Sequence, residues 1–229
     1  MYAESVASYD YSKIETLSPS EELIAAKEAV DSALSEMIER ESERITEEYI
    51  QRNAKTCMGS VSKWLGALGV ENRDEILRAF SHPLRLRYSF ISFNYTFLFD
   101  KFYHASREHF QSWSAEFYSG SFPSASHTLG ELCHAHGTIE DVPICGVNDP
   151  DQIIDENLKV DEEVVSTIVK PKIQRMFARD NDSLAMAIVG KAQIICVFGM
   201  SLGSTDKRWW QKIVRWLRNG SNRYLIIFK

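Results

Sequence analysis

The sequence predicts an α/β protein: a mostly parallel sheet covered by helices, joined to a helical N-terminal part. Three observations carry this. Short strand-like runs, aromatic and apolar at Leu86 to Phe93, apolar and β-branched at Gln193 to Phe198, and a last one at Arg223 to Phe228, alternate with segments of helical period, which implies parallel strands with helices on both faces. Residues 1–83 are nearly all helical in pattern where they are patterned at all. The stretch QIICVFGMSLGSTDKRWW, Gln193 to Trp210, passes from a buried strand through a loop of small residues into an amphipathic helix. At such junctions the loop amides and the positive helix end face the crevice where open parallel sheets bind ligands. The expected organisation is a helical region over 1–83 packed on a core over 84–229, in one compact unit.

Composition narrows the function. A chain of 229 residues can bury one substantial core. Its formal net charge of −6 argues against general attraction to nucleic acid or an anionic membrane. Cys57, Cys133, Cys145 and Cys196 are scattered with no CxxC pair, which fits a reducing cytosol. The start, MYAESVASYDYSK, has no basic segment before an apolar core, and no apolar run reaches bilayer length. A soluble, cytoplasmic protein is expected.

The elements follow in order. Ser18, Pro19 and Glu21 stand at N-cap, N1 and N3 of a first helix as a capping box. Leu23, Val30, Leu34, Met37, Ile38, Ile45 and Tyr49 recur at helical spacing while EMIERESERITEE charges the opposite face, a solvated surface. Val61 to Leu68 and Asp74 to Phe80 read as shorter helices, closed by His82-Pro83. The strand Leu86 to Phe93 leads through Asn94 into a helix reaching about His109, and a polar loop runs to about Ser126. His127 to Ala135 and Val142 to Val147 read as strands. Helices over Glu162 to Arg179, which Pro171 kinks or restarts, and Ser183 to Lys191 precede the strand Gln193 to Phe198, the helix Asp206 to Arg218 and a last strand ending at Phe228.

Three strand ends carry polar groups: Asn94 in FNYT, His136 in HAHG and Ser201 in GMSLGSTD. Parallel strands would gather them on one rim. Singly, each has a plain structural explanation, as a turn asparagine, a hydrogen-bonded corner or a helix cap. Their order says more. FNYT, then HG, then GMSL before a helix resembles the sirtuin-like superfamily. The finer pattern is similar to the AbiH family of bacterial abortive-infection proteins, through Ser92 to Thr96, His134 to Gly137, Cys145 to Asp149 with Gln152-Ile153, Lys170-Pro171, and Phe198 to Trp210.

The resemblance, which runs over about Leu86 to Phe228, implies a Rossmann-like sheet with a nucleotide pocket and NAD as substrate or ligand. Asn94, with Tyr95 and Thr96 beside it, would hold the ribose or an ordered water. His136, followed by Gly137, would act as general base, a role suited to imidazole. Gly199, Met200, Ser201, Leu202, Gly203 and Asp206 would contact ribose or phosphate oxygens, and no metal is needed. An antiphage protein that cleaves NAD is implied, with a phage trigger or protein partner; the alternative is a catalytically silent interaction module. Oligomeric state is left open. The pattern departs from both families at its start, which lacks their opening strand and glycine-rich loop, roughly GNGFD; the first glycine is Gly59. The expectation is a shortened form or an incomplete pocket.

Other chemistries fit less well. Gly199 to Gly203 matches GxSxG, but a hydrolase of that type needs a histidine after the serine, and the last histidine is His136. Cys133, His134, His136 and Cys145 cluster in sequence, yet strand alternation puts both histidines on one face and Cys133 on the other, so no closed zinc site is expected. Cys133 reads as a buried structural thiol. In KRWWQKIVRWLRNG, aromatic and basic residues interleave as in nucleic-acid binders; packing on a sheet with a solvated basic face explains the spacing more simply.

Overall fold

The computed structural model describes residues 17–80, 84–118, 125–138, 146–147, 149–176, 181–200 and 206–228. They fall into two compact units, one taking those up to Glu36 and those between 144 and 179, the other those within Met37–Pro143 and Asp180–Lys229. The protein is mixed α/β, with parallel strand pairs.

In the first unit, α1 (Pro19–Glu43) starts as the sequence predicts. The Ser18 amide and hydroxyl both donate to the Glu21 carboxylate at 2.8 Å, and the Glu21 amide donates to Ser18 Oγ at 3.4 Å. These bonds satisfy donors that a helix start leaves orphaned. The short helices α6 (Glu156–Val160), α7 (Glu162–Ile168) and α8 (Lys170–Met176) follow. Asp161 caps α7, accepting from the amides of Glu163 and Val164, and also accepts from Ser20 Oγ at 2.5 Å. The Ser20 bond, with these amides, holds its carboxyl below the ordinary range. Pro171 lies in the first turn of α8, so it restarts the helix, as its missing N–H allows. Of the expected strand Val142 to Val147, only the last two residues are described, and Val147 forms a parallel bridge to Val169.

In the second unit the long N-terminal helical pattern is broken. Thr46 adopts extended backbone (φ −74°, ψ 156°) and its hydroxyl accepts the Tyr49 amide at 3.2 Å, so α2 (Glu47–Ser62) begins afresh. A 3₁₀ turn (Lys63–Ala67) and α3 (Val70–Ala79) follow. The strands are β1 (Leu84–Ser92), β2 (Ala125–His134), β3 (Ile194–Phe198) and β4 (Tyr224–Phe228). Between β1 and β2 lie α4 (Leu98–Ser106) and α5 (Phe110–Tyr118). The second of these stands where the sequence pattern predicts loop. Phe110, almost fully buried against Ile50, Met58, Phe102 and Tyr103, anchors it there; burial of so large a ring outweighs weak local propensity. The helices α9 (Asn181–Lys191) and α10 (Lys207–Arg218) precede β3 and β4 respectively.

The expected single Rossmann-like sheet is not what the described strands form. β1 pairs only with β2 and β3 only with β4, giving two parallel two-stranded sheets. Trp64, Leu65 and Ile76 pack over one face of both pairs, against Leu86 and Tyr88 of β1, Ile194 and Cys196 of β3, and β4. On the opposite face, Val189 of α9 and Ile213 and Trp216 of α10 pack against Ile91, Ile195 and Leu225. The pairs thus share a roof and a floor but no ladder. Among the described residues no helix is long and apolar enough to cross a membrane.

His127 of β2 is buried at 1% exposure. Its Nδ1 lies 3.1 Å from the Tyr88 hydroxyl and its ring stacks on Tyr88 at 5.9 Å. Burial pushes its imidazole below the ordinary histidine value, because a charged ring would lose solvation. The folded state therefore holds His127 neutral. That stability is complete above about pH 6.5, the unfolded value, and is lost as pH falls through and below it, since the unfolded chain then binds the extra proton. The limit for one proton is about 1.4 kcal/mol per pH unit. Denaturation midpoints at pH 7.5 and 5.5 should show a smaller acid loss in His127→Gln than in the wild type; equal losses would contradict this assignment.

Candidate functional site

Parallel pairing brings the C-terminal ends of β1 and β2 to one edge, where the Ala135 amide donates to the Ser92 carbonyl at 2.8 Å. The chain then turns through Gly137, whose φ of +74° suits glycine because it has no Cβ. β2 ends at His134, so strand alternation does not extend to His136. The two histidines, expected on one face, have different surroundings. His136 packs edge-on to Phe93 at 5.1 Å and lies 6.3 Å from the Tyr95 ring.

His134 has the denser polar contacts. Its Nδ1 lies 3.0 Å from the Asn94 carbonyl and its Nε2 2.9 Å from Asp100 Oδ2. Two oxygen acceptors facing two ring nitrogens are both satisfied by an imidazolium, which carries two N–H donors. Asp100, in the first turn of α4, was missed by sequence reasoning; its only signal is an acid at a helix start, which ordinarily reads as a complement to the helix dipole. Through this pair the turn after β1 is tied to β2 and to α4.

Asn94 is solvent-exposed, and its amide donates to Ser92 Oγ at 3.2 Å. Tyr95 and Thr96 beside it are half-buried. At the end of β3, Gly199 has φ +63°, and Met200, like Phe93, packs against the buried cluster that holds Cys133, Ala135 and Trp209. Met200 and Phe93 follow β3 and β1 directly, so the two strand pairs run in the same direction and end at the same rim. Asp206 precedes α10, but its side chain makes no capping hydrogen bond, contrary to a helix-opening cap. Ser201, Leu202 and Gly203, with the serine elbow they would form, lie outside the described residues.

A cavity of about 1720 Å³ lies between the two strand pairs. Asn94, Gly199, Met200 and Asp206 line it together. Tyr95, Thr96, His136 and Gly137 are not among its described lining, although Phe93, against which His136 packs, is. Trp209 closes the rim from α10, edge-on to Phe93 at 5.0 Å. The basic face of α10 is in part internally paired: Arg208 and Lys212 each reach Asp182 at 2.9 Å, and Lys212 lies 4.9 Å over Trp209. Trp209, Ile213 and Trp216 are buried, so packing explains the aromatic spacing. Cys133 is 4% exposed and its thiol donates to the Asn181 carbonyl at 3.5 Å. Burial pushes that thiol up, the character of a structural cysteine. Among the described residues, no group of three His, Cys, Asp or Glu could hold a metal ion.

These features define an α/β protein whose parallel strand pairs end together on one shared cavity. The chain belongs to the family described as Bacteriophage abortive infection AbiH, which it matches over residues 4–228. Family membership implies a role in phage abortive infection. No curated protein and no solved structure matches the chain.

Proposed function

We propose that this abortive-infection protein binds a nucleotide at the C-terminal mouth of the cavity, and that NAD is cleaved there. The observation that carries this is that Asn94, after β1, lines one cavity together with Gly199, Met200 and Asp206 of the β3–α10 junction. The parts fit the ligand chemically. Asn94 offers an exposed amide for a ribose hydroxyl, and the start of α10, which Asp206 does not cap, offers a positive dipole end to a diphosphate. Phe93 and Trp209 supply apolar surface for a ring.

Cleavage would break the bond between ribose C1′ and the nicotinamide nitrogen, whose electron pair leaves with neutral nicotinamide. A water oxygen bonds to C1′, giving ADP-ribose, and its proton passes through one further water to His136, which is not among the cavity's described lining. The positive charge that develops on the ribose is met by oriented dipoles of the chain. Titration calorimetry with NAD tests the binding step. One molecule should bind per chain, and Asn94→Ala should weaken binding by about tenfold, the loss of one hydrogen bond. Equal affinity in the variant would remove Asn94 from the site. A second reading is a catalytically silent interaction module, which fits the pairing of the described strands in two separate sheets with no ladder between β1 and β3.

A further inference from the structure

β3 and β4 end on a pair of aromatic rings. Phe198 and Phe228 are register partners, and their rings stack face to face, with centroids 4.3 Å apart and planes 5° from parallel. Residues directly opposed across a strand pair carry their side chains on the same face of the sheet. Here that face is the one covered by Trp64, Leu65 and Ile76, because Phe228 packs against their cluster. Phe198 stands largely outside the cover, with 55% of its surface exposed. So large an exposed ring at a strand end that opens on a cavity calls for an explanation.

The stack decides which side of the ring is available. Phe228 covers one face of Phe198 from the β4 side. The other face is turned away from β4, toward the side where the cavity lies: Phe198 lines that cavity, and β4 contributes nothing to it among the described lining. A ring held on one face by a stacked neighbour offers its other face as a flat apolar surface, which suits offset stacking with a second flat ring. A nucleobase is such a ring, since every base has a π-face. Position along the rim adds the direction. β1 pairs with β2 and β3 with β4, and the cavity lies between β1 and β3, so the strands stand in the order β2, β1, β3, β4. The proposed bond cleavage is placed at the β2–β1 end, by His136 and Asn94. A dinucleotide with its nicotinamide ribose there and its diphosphate at the start of α10 carries its second ring to the β3–β4 end, where Phe198 stands.

We propose that Phe198 is the stacking platform for the adenine ring of the bound nucleotide, with Phe228 as the positioning residue behind it. Phe198 takes this part on the nucleotide reading given above, to which it adds the direction of the ligand and a preference for adenine nucleotides. The same aromatic pair also steadies the two strand ends. Phe198→Leu separates these roles, because leucine keeps apolar bulk against Phe228 and lacks the π-face.

The test is titration calorimetry on the full chain with three probes: adenosine monophosphate, nicotinamide mononucleotide and NAD. Phe198→Leu should weaken adenosine monophosphate and NAD by about tenfold, the ordinary loss of one base–aromatic stack. Nicotinamide mononucleotide, which has no adenine, should keep its affinity within about twofold. Phe198→Trp, which retains a stacking face, should bind all three about as well as the wild type. Equal affinity of wild type and Phe198→Leu for adenosine monophosphate, or an equal loss for nicotinamide mononucleotide, would overturn the stacking role and leave the nucleotide site standing. No binding of any of the three by the wild-type chain would overturn both.

Discussion

On the NAD cleavage proposed above, replacing His136 with alanine is expected to lower nicotinamide release by about 10²–10⁴-fold, the ordinary contribution of a general base, while NAD affinity stays within a few-fold. The separation follows from geometry. Asn94, Gly199 and Met200 line the cavity, whereas His136 is not among its described lining and packs edge-on to Phe93, so its proposed part is proton transfer and not binding. Steady-state kinetics read it as a fall in kcat with KM unchanged. His134→Ala is the informative contrast. His134 joins the Asn94 carbonyl to Asp100, so its loss loosens the turn that presents Asn94 and should raise KM and lower the thermal midpoint. A His136→Ala enzyme with undiminished kcat would remove this histidine from the chemistry.

The largest effect on stability is expected at Trp209. Its ring is 7% exposed, meets Phe93 edge-on and packs with Cys133, Ala135, Ala185 and Ile188. It thereby fixes the start of α10 to the ends of β1 and β2. Trp209→Ala should cost about 3–5 kcal/mol, the transfer free energy of the ring plus that of the void it leaves. Trp209→Phe keeps an aromatic edge against Phe93 and should recover a substantial part. Urea denaturation of the three proteins checks this; a loss below about 1 kcal/mol for the alanine variant would mean that the rim closes over the gap.

What could be read in the sequence was mostly local. The Ser18–Glu21 box, the restart at Pro171 and the strand at Ile194–Phe198 depend on neighbours within a few residues, and each is found where its pattern predicts. The misses have a common cause. Thr46 carries a legible cap signal, but it interrupts an apolar spacing that continues to Tyr49, and the spacing dominated. The helix around Phe110 is held by side chains from α2 and α4, which no local window contains. Which strand edges meet depends on partners far along the chain, so parallel pairs were predictable while the lack of a ladder between β1 and β3 was not.

The same distinction applies to the candidate site. That the chain after β1, at Asn94, and the chain after β3, at Gly199, line one cavity follows from strand-end logic, because parallel strands finish at one edge. The Asp100–His134 contact does not, since it joins a helix start to a strand end through a fold-dependent approach. The turn at Gly137, with its positive φ, gives His134 and His136 different neighbours despite their spacing of two.

Formation of nicotinamide and ADP-ribose from NAD by the purified wild-type chain, with Asn94→Ala and His136→Ala measured in parallel, tests the nucleotide site most directly. Release by the wild type that falls by about 10²-fold or more in His136→Ala, and by about tenfold in Asn94→Ala at NAD well below KM, is the result predicted. No release from the wild type, together with no shift of its thermal midpoint by NAD or any other nucleotide, would contradict it.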